Sequence, residues 1–250
     1  MINKIKQLLG KNYSLANSSK EINLIDKFYN HSRTITKKST LDVDGDIIPW
    51  YTYPAIEFVN QFDFTGKRVF EWGSGNSSTF FSNKKVDEII SVDHDTEWFN
   101  KVKLNLQSNQ QLVMSDLKQY PSHIDNFSGN FDVIIIDGQR RFDCAKAAIS
   151  KLSANGMIIL DNSDWFYVSA AYLKKELDLI QVDFHGLGPI NNYTWTTSIF
   201  FTKNFNFPLL KKRQPCNAIG GLHHDEIDII KNEDNLFQTS NSNLVDTLLS

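Results

Sequence analysis

The run Phe131-Asp132-Val133-Ile134-Ile135-Ile136 is almost continuously apolar and stops at Asp137. No amphipathic helix or half-exposed strand has that pattern. It fits a central parallel strand buried on both faces. Parallel strands need crossover connections, so helices must lie on both sides of it. The flanking sequence supplies them. Arg68 to Trp72 reads as a first strand, Glu88 to Val92 as a second, Gln111 to Ser115 as a third and Met157 to Leu160 as a fifth. Helical stretches fall between: Ser77 to Asn83, a helix capped by Thr96 that runs to about Leu106, and one carrying Ala145, Ala148, Ile149 and Leu152.

After a helix at about Trp165 to Leu177 come two β-rich runs, Leu179 to Phe184 and Trp195 to Thr202. No helix fits between them, so they must pair antiparallel. The expected fold is α/β: a three-layer sandwich around a mostly parallel seven-stranded sheet that ends in an antiparallel pair. The chain has three zones. Residues 1–66 form a helical and aromatic cap region, with helices at Met1 to Lys11, Glu21 to Ser32 and Ala55 to Gln61. Residues 67–203 form the α/β domain. Residues 204–250 are a polar extension with a short helix near Asp225 to Lys231.

Hydrophobic residues at 41% and charged residues at 22% suit an ordinary globular protein. A net charge of −3 offers no bulk attraction to nucleic acid, and none is expected as a partner. No apolar run approaches the ~18 residues of a spanning helix, so no membrane span is expected and the cytoplasm is the expected compartment. Cys144 and Cys216 form no metal or disulfide pattern and read as small buried hydrophobes. Oligomeric state is not legible.

Ligands of open α/β sheets bind beyond the carboxyl ends of the strands. There this chain places an acid on every parallel strand: Glu71, Asp93, Asp116, Asp137 and Asp161. The turn after the first strand is Gly73-Ser74-Gly75-Asn76. Glycine there lets backbone approach a ligand closely, and the next helix offers unpaired N–H groups. Asp93 follows Glu71 at the ~20-residue spacing at which an acid meets ribose hydroxyls. Glu71 would repel a pyrophosphate but suits a cationic ligand, such as the amine and sulfonium of S-adenosylmethionine.

With Val69-Phe70-Glu71-Trp72-Gly73-Ser74-Gly75, Asp93, Phe131 to Gly138 and the antiparallel ending, residues 67–203 resemble the class I S-adenosylmethionine-dependent methyltransferases, whose fold is Rossmann-like. The resemblance implies cofactor contacts from Glu71, Gly73, Ser74, Gly75 and Asn76, ribose binding by Asp93 with Asp95 as a rival, and adenine binding by Asp116. A narrower resemblance, to cation-dependent and sugar O-methyltransferases, implies Mg²⁺ held by Asp137, Asp161 and Asn162. The alternative is that Asp137 contacts substrate or cofactor while Asn162 caps a helix.

The expected activity is methyl transfer to a hydroxyl of a small molecule or glycan. The proton would go to Asp137, with His94 and His185 as further candidates. Trp50, Tyr51 and Tyr53 are candidate walls of the acceptor site. Arg140 and Arg141 are candidates to bind an anionic acceptor. The segment Gly186 to Trp195 is similar to segments of bacterial methyltransferase-like proteins associated with surface polysaccharide, which implies polysaccharide modification. Two other readings stay open: a non-catalytic binding or scaffold protein that keeps the fold, and another transferase of this fold, such as an aminopropyltransferase.

Overall fold

The computed structural model describes residues 24–212 and 214–221, with residues 230, 231, 234, 241, 243 and 247 in helical segments. The helix expected at Met1 to Lys11 lies outside the described residues, as does most of the one expected near Asp225. The chain divides into two compact units, Met1–Gln214 and Pro215–Ser250. The sheet and the candidate site belong to the first unit.

The sheet has seven strands: β1 (Arg68–Trp72), β2 (Glu88–Asp93), β3 (Gln110–Met114), β4 (Phe131–Ile136), β5 (Leu152–Leu160), β6 (Ile180–Gly186) and β7 (Trp195–Phe201). Their order is β3-β2-β1-β4-β5-β7-β6. β1 to β5 pair in parallel, and β7 is antiparallel to both β5 and β6. This is the sheet expected from the sequence. The chain winds outward from β1 in one direction and from β4 in the other, so a crevice opens between their carboxyl ends.

The helices are α1 (His31–Lys37), α2 (Tyr53–Val59), α3 (Asn76–Asn83), α4 (Thr96–Lys103), α5 (Arg141–Ala148) and α6 (Tyr167–Glu176), with a 3₁₀ helix at Tyr120–Asn126. β4 is buried on both faces. Val133 and Ile135 join one core with Val59, Phe64, Phe81 and Ile199. Ile134 and Ile136 join the other with Trp72, Tyr120, Ala145 and Leu173. The strand period of two divides Val133 to Ile136 between those cores, while Phe131, before a register shift in the pairing with β5, joins the second.

Three local expectations change. The helix expected over Glu21 to Ser32 breaks at Asn30, which is left-handed (φ 56°) and donates its amide to the Asp42 carbonyl. Helix then resumes to Lys37. Asp95, not Thr96, caps α4, accepting from the Trp98 N–H at 2.8 Å. Leu152 leaves the helix and starts β5. Of residues 24–66, Tyr51, Ile56, Phe62 and Phe64 share a core with strand residues, as does Phe207. Cys144 is a buried hydrophobe as read, and burial pushes its thiol pKa up.

Candidate functional site

The turn after β1 is built by its neighbours across the crevice. Gly73 has φ 97°, and its N–H donates to the Val92 carbonyl at 2.9 Å. A Cβ on Gly73 would stand 2.9 Å from the Gly138 nitrogen and 3.0 Å from the Asp137 carbonyl carbon. The turns after β1 and β4 therefore pack backbone against backbone, which only glycine permits. Ser74 then ties the turn to β2: its N–H and hydroxyl both donate to Asp93 Oδ2, at 2.9 and 2.6 Å. The His94 and Asp95 N–H groups donate to Asp93 Oδ1 at 2.8 and 3.0 Å. All four acceptor positions of that carboxylate are thus used by the chain itself.

Glu71 is fully buried beneath the turn. It accepts hydroxyl hydrogen bonds from Ser77, Ser78 at 2.5 Å and Ser91 at 2.8 Å. Burial pushes its pKa up to about 7, against the pull of the three serines. Its charge lies under the turn and makes no direct contact with the crevice.

A cavity of about 600 Å³ fills the crevice. Gly73, Ser74, Gly75, Asn76 and Ser77 line one side, and Asp137, Arg141, Asp161 and Asn162 line the floor. Trp50, Trp98, Trp165 and Tyr193 are its aromatic walls, each between 44% and 57% exposed. Lys38, Thr40, Ile190 and Asn191 complete the rim. The N-terminal segment is laced in place by hydrogen bonds from the Asn76 amide to Thr40 and from the Ile190 N–H to the Thr34 hydroxyl at 2.9 Å.

The floor is a network of charges. Arg141 Nη2 pairs with Asp137 Oδ1 at 3.0 Å, and Nη1 donates to Asn162 Oδ1 at 3.0 Å and to the Asp161 carbonyl. Asp161 Oδ1 accepts from Trp195 Nε1 at 3.0 Å and from the Thr197 hydroxyl at 2.5 Å. Burial, then the nearby Asp137 charge, raises the Asp161 pKa well above the usual carboxylate range. Burial also raises that of Asp137, while Arg141 opposes the rise.

The expected metal set is corrected by this geometry. Asp137, Asn162 and the Asp161 backbone converge on a guanidinium, and the Asp161 side chain points its bonds at β7. Among the described residues no cluster of three or more His, Cys, Asp or Glu is arranged to hold a metal. A divalent ion does not fit this donor set as it stands.

Other expected site residues fall elsewhere. His94 and His185 do not line the cavity: the first packs edge-on to Tyr120, and the second, inside β6, bonds the Thr196 hydroxyl at 2.7 Å. Tyr51 and Tyr53 are buried behind the wall, the latter stacked on Tyr29, so only Trp50 of the three faces the cavity. Arg140 is turned to Asp143 and to the Leu117 and Lys118 carbonyls. Arg141 is on the floor but spent on internal partners, so it cannot clasp an anionic acceptor without giving up one of them. Asp116 caps its own turn through the Lys118 and Gln119 N–H groups.

Sequence reasoning did not single out Lys38, Thr40, Trp98, Trp165, Asn191 or Tyr193 as site residues. Asn191 and Tyr193 sit in the segment whose composition stood out. Trp165 follows the β5 acid closely enough to have been found. Lys38 and Thr40 carry no signal, because only tertiary folding brings them to the glycine turn.

No protein family model matches this chain, and no curated protein matches it. Solved structures align with part of this chain. Spermidine synthase from Thermotoga maritima aligns at 17% identity over 59% of this chain and 59% of its own, with TM-score 0.47. Precorrin-6y C5,15-methyltransferase from Geobacter metallireducens GS-15 aligns at 13% identity over 60% of this chain and 87% of its own, with TM-score 0.49. An rRNA methylase from Streptococcus thermophilus aligns at 9% identity over 56% and 90%, with TM-score 0.44. The aligned part is therefore well short of the full length of the spermidine synthase. Likeness at this level carries no functional argument, and the chemistry has to be read from the site's own residues.

Proposed function

We propose that this protein is an S-adenosylmethionine-dependent methyltransferase acting on a hydroxyl of a small molecule or glycan. One observation carries the reading: a single cavity at the switch point of the sheet is lined on one side by the glycine turn and on its floor by Asp137. The cofactor turn and the candidate base thus open onto one space, which methyl transfer requires.

When bound, S-adenosylmethionine supplies an electrophilic methyl group. The chain's part is alignment and proton removal. Gly73 to Ser77 offer backbone that a ligand can approach closely. Trp50, Trp165 and Tyr193 present flat faces against which a ring can be held, and orientation of the acceptor removes much of the entropic barrier. Arg141 holds Asp137 Oδ1 and leaves Oδ2 as the oxygen that takes the hydroxyl proton. Burial makes that carboxylate a stronger base, and the guanidinium keeps it charged.

Calorimetry with S-adenosylmethionine tests the cofactor, and lack of binding at millimolar concentration would sink the reading. A comparison with its decarboxylated form separates methyl from aminopropyl transfer. Once an acceptor is found by labelled-methyl incorporation, Asp137→Asn should lower kcat about 10²- to 10⁴-fold while cofactor affinity stays unchanged. An Asp137→Asn enzyme of full activity would remove this residue from the chemistry.

A further inference from the structure

The guanidinium of Arg141 meets five oxygen atoms. Nε donates to the Gly138 carbonyl at 3.0 Å. Nη1 donates to the Asp161 carbonyl and to Asn162 Oδ1, and Nη2 to the Asp137 carbonyl at 3.1 Å and to Asp137 Oδ1 at 3.0 Å. Arginine has five N–H donors, and each has its own acceptor here. One face of the group lies on the Phe166 ring, 4.4 Å from its centroid. The side chain is 10% exposed and floors the cavity. Five oxygens, one of them formally anionic, would repel each other if left facing one another without a cation. Oxygen donors converging from two strand ends are also what a hard cation binds.

We propose that Arg141 is the resident cation of this site: it fills an oxygen cage that would otherwise admit a small cation, and so fixes Asp137 and Asn162 without a metal ion. Arg141 is then a positioning residue, acting on the acceptor only through Asp137. That last consequence rests on the methyl-transfer reading; the cation cage itself does not. Lysine cannot replace it, since three donors leave two acceptors unpaired.

The test is cation binding, read without any acceptor. Mn²⁺ titrated into the wild-type protein and followed by electron paramagnetic resonance should stay free. Arg141→Ala should gain a saturable upward shift of Tm with millimolar guanidinium chloride or Mn²⁺, lost again in the Arg141→Ala, Asp137→Asn double variant. If Arg141→Ala does not fold, Arg141→Gln keeps part of the aliphatic stem, places no guanidinium on Phe166 and carries the same expectation. Wild-type protein that retains Mn²⁺ through Asp137 would overturn the proposal. So would a folded variant that responds to neither cation. Wild-type methyl transfer, where measured, should be unchanged by chelator; transfer that is lost in chelator and restored by Mn²⁺ bound through Asp137 would overturn the proposal.

Discussion

The two glycines of the turn after β1 look equivalent in sequence and are not equivalent in the fold, which makes Gly73→Ala the sharpest test of the site's construction. Gly73 sits at φ 97°, where a side chain costs on the order of 1–3 kcal/mol. Its Cβ would also stand 2.9 to 3.0 Å from backbone atoms of Asp137 and Gly138. Those atoms are held by the Asp137 N–H bond to the Trp72 carbonyl at 3.0 Å, so they cannot turn aside as a side chain would. Overpacking of this kind costs about 1–3 kcal/mol more. The expected loss is about 2–6 kcal/mol, or a Tm lowered by roughly 4–24 °C for a unit of this size. Gly75 is the control. Its φ of 165° is ordinary extended backbone, and its Cβ would meet only the Trp98 side chain, at 3.5 Å or more, a normal contact. Gly75→Ala should stay within about 0.5 kcal/mol of wild type while placing a methyl group on the cavity wall and weakening cofactor binding. Urea unfolding and cofactor calorimetry on both variants measure this. Equal destabilisation of the two, or a Gly73→Ala protein as stable as wild type, would refute the backbone-contact reasoning.

Two further perturbations probe the same neighbourhood. A Cβ on Gly138 would stand 1.9 Å from the Tyr120 hydroxyl, which is buried without a hydrogen-bond partner. Tyr120→Phe should therefore be neutral or stabilising by up to about 1 kcal/mol, and in a double-mutant cycle it should recover at least half of the about 1–3 kcal/mol lost in Gly138→Ala; independent effects of the two changes would contradict that contact. Asp161 has its pKa raised in the folded state by burial and by Asp137. As pH rises the unfolded chain releases this proton first, so the stability it contributes is complete below the ordinary carboxylate range and is lost as pH climbs towards the raised folded value. Asp161→Asn keeps an acceptor for Trp195 and Thr197 and removes that loss. Its stability relative to wild type should increase from acid to alkaline pH, by on the order of 1 to a few kcal/mol, and a pH-independent difference in denaturant midpoints would speak against a strained charge.

The sheet was legible because strand period and burial are properties of short segments. β4 reads as a doubly buried strand from six residues alone, and its partners follow from the rule that parallel strands need crossovers. The break at Asn30 was not legible, because it depends on the Asp42 carbonyl twelve residues away. Nor was the N-terminal contribution to the cavity. Lys38 and Thr40 reach the glycine turn only because α1, which they follow, is held to the loop before β7, a contact made across 156 residues at Thr34 and Ile190.

The strand-end acids show where such reading stops. The position that aims a carboxylate at a ligand also places it among the N–H groups of its own turn. Which of the two wins depends on donors that come from elsewhere. Asp116 is satisfied locally by Lys118 and Gln119. Asp93 is taken by its own turn and by Ser74. Glu71 is enclosed by Ser77 and Ser78 from the following helix and by Ser91, its register partner on β2. Asp161 spends one oxygen on Trp195 and Thr197 of the antiparallel strand. Asp137 alone of the five has a guanidinium as its side-chain partner, four residues on in the same turn, and that partner engages one of its two oxygens. A carboxylate so held stays charged, oriented and half unsatisfied on the floor of a cavity, and of the five acids it is the one equipped to take a proton.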